Sequence, residues 1–421
     1  MNLKKQGIRI LIVAMSLATA WAIRGQFGHE QGAAWAGAIG GLALVLVSKR
    51  KDWYDKMVLV ALASAIGWGA GGMISYGMVV GYGHSDDFLN AFYGIGMLFV
   101  IGGLFGLLGG GLVGLVLDST KDNKVRWGAL VSEMVAGGLI SYFFLIEQIG
   151  FKMTPPRSEA WAIILGAGLA MLWYMARENR NSSIRVAIYS ALGAGFGFAF
   201  GNFLQVLGNV YEVPFNMWNV MEYSIGFFSG SAMAYGVFSS TWPIDEEKPK
   251  TWTNRVALFV VAVFIPLIVY RESLSYQTLL KRLGEISNLA SVTSTSTIVA
   301  ALVLLTMAII LMWKLKKSSF EKNDIVLFLF IYLGVYIVMS YIVTGLFAGS
   351  FHINHHLYIL NAIVLFMLIK ANKYEVNVET TNEIHAYKWL RYLVLLVLII
   401  ALLAFIATSV HGELPGKRNR F

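Results

Sequence analysis

Apolar positions in this chain do not form the one-sided helical stripe or strict alternation of a water-soluble protein. They form long runs, at roughly 8–24, 32–48, 57–82, 91–117, 127–147, 160–176, 186–208, 219–240, 256–271, 297–315, 325–347, 356–371 and 390–410. Each run is near the ~20 residues an α-helix needs to cross a bilayer core. The pattern predicts an all-α, polytopic membrane protein with about thirteen transmembrane helices. The run at 256–271 is the least regular, because it contains Pro266 and ends in Arg271 and Glu272.

The polar intervals between runs set an orientation. Lys4, Lys5 and Arg9 precede the first run, and basic clusters recur at 49–51, 121–126, 177–185, 248–255 and 314–322. The intervening loops are poorer in Lys and Arg: 83–90 carries Asp86 and Asp87, and 209–219 carries Glu212. Basic loops stay on the cytoplasmic side, so the N-terminus is expected in the cytoplasm of a multi-pass plasma (inner) membrane protein. The loop at 271–296, with Arg271, Lys281 and Arg282, falls on the outside and departs from this rule, as does the basic C-terminus. The first run also has the outline of a secretory signal, since basic residues, an apolar stretch and Ala18, Thr19 and Ala20 follow one another. The internal repeat requires it as a helix.

That repeat is visible in three places. Ala34, Trp35, Ala36 and Gly40 recur as Ala160, Trp161, Ala162 and Gly166, an offset of 126. Ser64, Ala65, Gly67, Gly69 and Gly71 recur as Ser190, Ala191, Gly193, Gly195 and Gly197, at the same offset. Tyr93 and Gly96 recur as Tyr223 and Gly226, at 130. A unit of four helices is even, so two copies enter the membrane from one side as parallel repeats. The expected organisation is a first repeat over 1–120, a second over 121–245, and a C-terminal bundle of about five helices over 246–421. That bundle offers a surface for a homo-oligomer or a partner subunit.

Composition sharpens the class. Hydrophobic residues make up 57% of the 421 residues and charged residues 14%, more apolar surface than one soluble core can hide. The net charge of +9 is carried by loops and does not point to nucleic acid. There is no cysteine, so no disulfide, thiolate metal site or cysteine nucleophile is available. Glycine at every fourth position from Gly102 to Gly114 marks one helix face for close packing.

Chemistry concentrates at the end of the first run, where Arg24, Gln26, His29 and Glu30 fall within seven residues. Charges near hydrocarbon are costly and mark function. Arg24 suits an anionic group, Glu30 a proton, and the two are placed to pair with each other. Asn202, Gln205 and Glu222 add polar groups on later helices. Glu222 also suits the N-terminus of its helix. The spacing of His352, His355 and His356 resembles one histidine box of membrane di-iron desaturases, but no second box exists among the seven histidines, so no metal is expected. No cofactor-binding loop or nucleophile elbow is present. The expected function is a secondary transporter for a small polar or anionic solute, with lipid as its surroundings. An integral-membrane enzyme acting on a lipid-linked or periplasmic substrate at the outer face is the alternative, with His29 and Glu30 as acid/base groups.

Overall fold

The computed structural model describes residues 2–244, 247–284, 286, 288–372 and 380–421. Among these, eleven helices are long and apolar enough to cross a membrane. In chain order with the shorter helices, the elements are α1 (Asn2–Arg24), α2 (His29–Ser48), α3 (Lys51–Tyr54), α4 (Met57–Gly71), α5 (Gly77–Gly83), α6 (Phe88–Asp118), α7 (Trp127–Gln148) and α8 (Ser158–Arg177). They continue as α9 (Asn181–Val210), α10 (Met217–Phe238), α11 (Thr251–Leu274), α12 (Tyr276–Leu283), α13 (Leu289–Lys314), α14 (Lys322–Val343), α15 (Ile353–Ala371) and α16 (Ala386–Val410).

The expected thirteen spans resolve into these eleven plus two special cases. The helix α10 is long enough but carries Asn219, Glu222 and three serines, which lower its apolar character. The run at 57–82 is not one helix. It stops at Gly71, turns through residues 72–76 and resumes as α5. Hydropathy is continuous across this break; the glycines at 71, 72 and 77 allow the turn.

Neighbouring long helices run antiparallel. The α1–α2, α4–α5 and α9–α10 connections, α12, and the α14–α15 connection therefore gather at one end, which we call the site end. The basic loops gather at the other, where Arg9 donates to the Val47 and Ser48 carbonyls and Arg50 to that of Pro243.

The core is built from α1, α2, α4, α6, α9 and α10. The glycine face of α6 lies directly on α9: a Cβ on Gly102 would sit 2.5 Å from the Ala194 carbonyl oxygen, and one on Gly106 2.2 Å from that of Ser190. Gly226 and Gly230 of α10 meet Ala18 and Ala14 of α1 in the same way. Removing side chains lets backbones approach and recovers dispersion contacts that lipid cannot outcompete.

The C-terminal helices α11–α15 contact one another and also pack on the first helices of the chain. The helix α11 packs on α4 and α2, α14 on α2, and α15 on α1. The helix α16 leaves them and lies on α6 and α9, where Ile400 and Ala404 meet Ala91, Ile95 and Ala199. Its small and aliphatic face fits the groove between those two helices. The tail beyond α16 then crosses the site end: Lys417 pairs with Asp86 at 2.6 Å, the Arg418 amide donates to the Gly81 carbonyl at 3.0 Å, and Phe421 packs edge-on against Tyr93.

Candidate functional site

The first turn of the chain is shaped by glycine. Gly28 has φ +88°, a conformation that favours glycine, and it starts α2 so that His29 faces back toward Arg24. Gly72, in the break after α4, lies so close to this turn that a Cβ would be 2.3 Å from the His29 carbonyl oxygen. The broken helix and the α1–α2 turn therefore seat against each other backbone to backbone.

Arg24 is the last residue of α1 and only 1% exposed. Its Nη2 donates to both carboxylate oxygens of Glu222, at 2.7 and 2.6 Å. Tyr76, from the helix break, donates its hydroxyl to Glu222 Oε1 at 2.7 Å and also contacts the Arg24 guanidinium. Arg24 Nη1 lies 3.2 Å from His29 Nδ1, and the Nε–H has no partner among the described residues. Below the guanidinium, 5.1 Å from its carbon, lies the Trp21 ring, which meets Trp68 and Phe105 edge-to-face. A buried charge is tolerated only when paired and hydrogen-bonded, and this one is both.

Above this floor lies a cavity of about 470 Å³. Arg24, Gln26, His29, Tyr76, Asn219, Glu222, Arg282, Asn354 and His355 are among its lining residues. The Gln26 side chain accepts from Ser340 at 2.7 Å and meets His355 Nε2 at 3.3 Å. Asn219 donates to the Ala22 carbonyl at 3.1 Å and to the Tyr358 hydroxyl at 2.5 Å, and Asn354 donates to the same hydroxyl. Helices from all three sequence regions thus converge on one polar chamber.

Depth follows from helix geometry. Arg24 lies fifteen residues beyond Arg9 on α1, about 22 Å at 1.5 Å per residue. If Arg9 marks one boundary of a core about 30 Å thick, the floor of the cavity lies within the third nearest the site end.

Of the residues expected at the site, Arg24, Gln26, His29 and Glu222 come together. The expected Arg24–Glu30 pair does not form. Glu30 faces away and pairs with Arg157 at 2.9 Å, both partly exposed, because the first turn of α2 rotates it out of the chamber. Glu222 does not serve as a helix N-terminal group but holds Arg24. Asn202 and Gln205 are buried in α9 outside the cavity, beneath α5. Asn202 donates weakly to the Val80 carbonyl at 3.5 Å, and its amide oxygen has no hydrogen-bond partner among the described residues. Glu133 pairs with Arg177 at 2.7 Å. Among the described residues no group of three His, Cys, Asp or Glu side chains is arranged to hold a metal. His352 and His355 line the cavity instead.

Sequence reasoning missed Tyr76, Asn219, Arg282 and Asn354 as site residues. Tyr76 had a signal in the glycines around it; the others sit in ordinary loop or helix-end contexts. Comparison with protein-family models, with curated proteins and with solved structures finds no match to this chain.

Proposed function

We propose that this chain is a secondary transporter for a small anionic solute, coupled to protons through Glu222. The observation that carries this reading is the buried Arg24–Glu222–Tyr76 cluster at the floor of a polar cavity, beside a helix broken within its apolar run. Irregular backbone at membrane depth is tolerated where it lines a cavity, and broken helices are a common feature of transporter binding sites.

The coupling follows from charge balance. Glu222 neutralises Arg24 across a 2.6 Å ion pair. Protonating Glu222 through the cavity removes that partner and leaves a buried guanidinium that an anionic solute can satisfy. The Arg24 guanidinium then faces one anion in either state. Proton and solute each favour binding of the other, and this linkage is reciprocal. Glu30, expected earlier as the proton carrier, lies at the surface, so the role passes to Glu222. The orientation with a cytoplasmic N-terminus in the plasma membrane, and the origin of α1–α6 and α7–α10 as parallel repeats, belong to the same proposal. The basic loops support the first, and the three sequence echoes support the second.

A second reading has its own support. The cavity lies toward one end of the helices, above an aromatic floor, and three imidazoles (His29, His352 and His355) line it. That arrangement suits acid/base catalysis on a substrate presented at one membrane face. The test is uptake of lactate, gluconate, inorganic phosphate and glucose by proteoliposomes under an imposed pH gradient. Accumulation of an anion that is driven by the gradient, and lost in Arg24→Ala, supports transport. Glu222→Gln is expected to bind solute but to lose coupling to the gradient. Conversion of a solute without accumulation favours the enzyme, and accumulation unchanged by Arg24→Ala defeats the transport mechanism.

A further inference from the structure

The charges lining the cavity are unequal. Arg24 is neutralised by Glu222, but Arg282 also lines the chamber, and among the described lining residues Glu222 is the only carboxylate. Counting guanidinium and carboxylate groups alone, the described lining residues carry one more positive charge than negative. Arg282 Nη1 donates to the Gln26 backbone carbonyl at 2.7 Å, a neutral acceptor.

The position of Arg282 is fixed by the amphipathic helix α12. Leu279 is fully buried in the core, and Leu283 packs against it. These two share one helix face, and Arg282, three residues after Leu279, flanks that face on the cavity side. The helix is thus hooked down by leucine while its guanidinium reaches over the α1–α2 turn. Gln26 joins this rim to the floor: its carbonyl holds Arg282, its side chain meets Ser340 and His355, and Arg24 lies two residues before it.

We infer that Arg282 is the docking group for the solute at the mouth of the cavity, and that the solute carries an oxyanion, a carboxylate or a phosphate, which replaces the Gln26 carbonyl as its partner. This rests on the transport reading and names the substrate chemistry of the same site. A guanidinium presents a planar fork that matches both oxyanions. An electropositive chamber with low-dielectric walls also raises the local concentration of anions. The solute then passes from a solvated arginine at the rim to the buried Arg24 at the floor once Glu222 is protonated.

The experiment compares wild type, Arg282→Gln and Arg282→Lys in two assays. One is direct titration of detergent-solubilised protein with inorganic phosphate, lactate, gluconate and glucose; the other is proteoliposome uptake of the same four. Loss of a charged hydrogen-bond donor at a partly solvated site is expected to raise the KM and Kd for the active oxyanion about 10-fold to 100-fold in Arg282→Gln. The maximal rate should change less than about 2-fold, because Arg24 still completes binding at saturation. Arg282→Lys keeps charge without the fork and should fall between the two. Which of phosphate or the carboxylates responds identifies the oxyanion. An unchanged KM in Arg282→Gln, with active wild-type transport, overturns the role of Arg282 and leaves the transport reading intact. Wild-type uptake of glucose alone, with no oxyanion binding, overturns the oxyanion assignment. Absence of uptake of all four by wild type, with oxyanion binding weakened in Arg282→Gln, keeps the docking role and removes transport.

Discussion

Ala34, Trp35, Ala36 and Gly40 of α2 recur as Ala160, Trp161, Ala162 and Gly166 of α8, yet the α1–α2 and α7–α8 hairpins that contain them differ in enclosure. In α1, 67% of the apolar window is buried; in α7, 11% is. Trp35 stacks on Tyr336 at 4.6 Å, whereas its echo Trp161, also buried, meets Phe151 edge-on. The turn of the first hairpin carries Arg24, Gln26 and His29 into a chamber. The turn of the second carries Gly150 into open space and Lys152 to the surface. Glycine contacts locate the divergence. Gly67 meets α6 at Leu108, and its echo Gly193 meets α10 at Ala232, so α4 packs on α6 as α9 packs on α10. Gly69 meets Ala34 of α2, but its echo Gly195 meets Phe99 of α6. The helix α9 thus packs on α6 where α4 packs on α2, and α7 lies at the periphery. Enclosure, more than sequence kinship, makes a polar turn into a site: only a turn surrounded by other helices can hold a charge away from both water and lipid.

The largest effect expected from this contrast is on stability. Arg24→Ala strands the Glu222 carboxylate and should cost about 3–5 kcal/mol, as breaking a buried pair does. Lys152→Ala, in the echoing turn, should stay within about 0.5 kcal/mol. Denaturation in detergent micelles measures both. Replacing Arg24 and Glu222 together by methionine should recover much of the loss. If the double variant is no more stable than Arg24→Ala, Glu222 is not the group that the arginine holds in the folded protein.

The contrast also explains what could be read from the chain. Helices were legible because burial in lipid requires only length and apolar composition. The turn at 24–30 was legible because charges stand out against such a background. The partner of Arg24 was not, since local proximity points to Glu30 while the observed partner is 198 residues away. The break after Gly71 was hidden because the residues flanking it are as apolar as the helices they join. The departure of α16 from its sequence neighbours was hidden because a lipid-facing and a helix-facing aliphatic surface have the same composition. Asn202 and Gln205 were recognised as unusual, but nothing local revealed that α5 lies between them and the chamber.

An intermediate effect should separate packing from the site. Gly69→Leu and Gly195→Leu each force a side chain into a helix contact and should each cost about 1–3 kcal/mol. Their consequences for ligand differ. A Cβ on Gly69 would lie 3.3 Å from the Glu30 carbonyl, so bulk there pushes on the turn that carries His29. A Cβ on Gly195 would lie 2.6 Å from the Phe99 carbonyl, on a seam away from the chamber. Thermal unfolding should therefore fall in both, while oxyanion binding weakens only in Gly69→Leu. Equal loss of binding would mean that the α6–α9 seam is coupled to the site and that the two regions are less independent than their contacts imply.

The smallest effect concerns the point where the two turns touch. Arg157 of the second turn donates to Glu30 of the first at 2.9 Å, and both side chains are about 40% exposed. An ion pair this solvated contributes about 0.2–1 kcal/mol and is screened by salt. A double-mutant cycle with Glu30→Gln and Arg157→Gln should give a coupling in that range at low salt and near zero at 1 M salt. Under the proposed transport mechanism, which gives the proton to Glu222, the same variants should keep their coupling to protons. Loss of gradient-driven uptake in Glu30→Gln, with stability preserved, would return the proton to the surface carboxylate and make the junction between the turns, rather than the enclosed floor, the working part of the molecule.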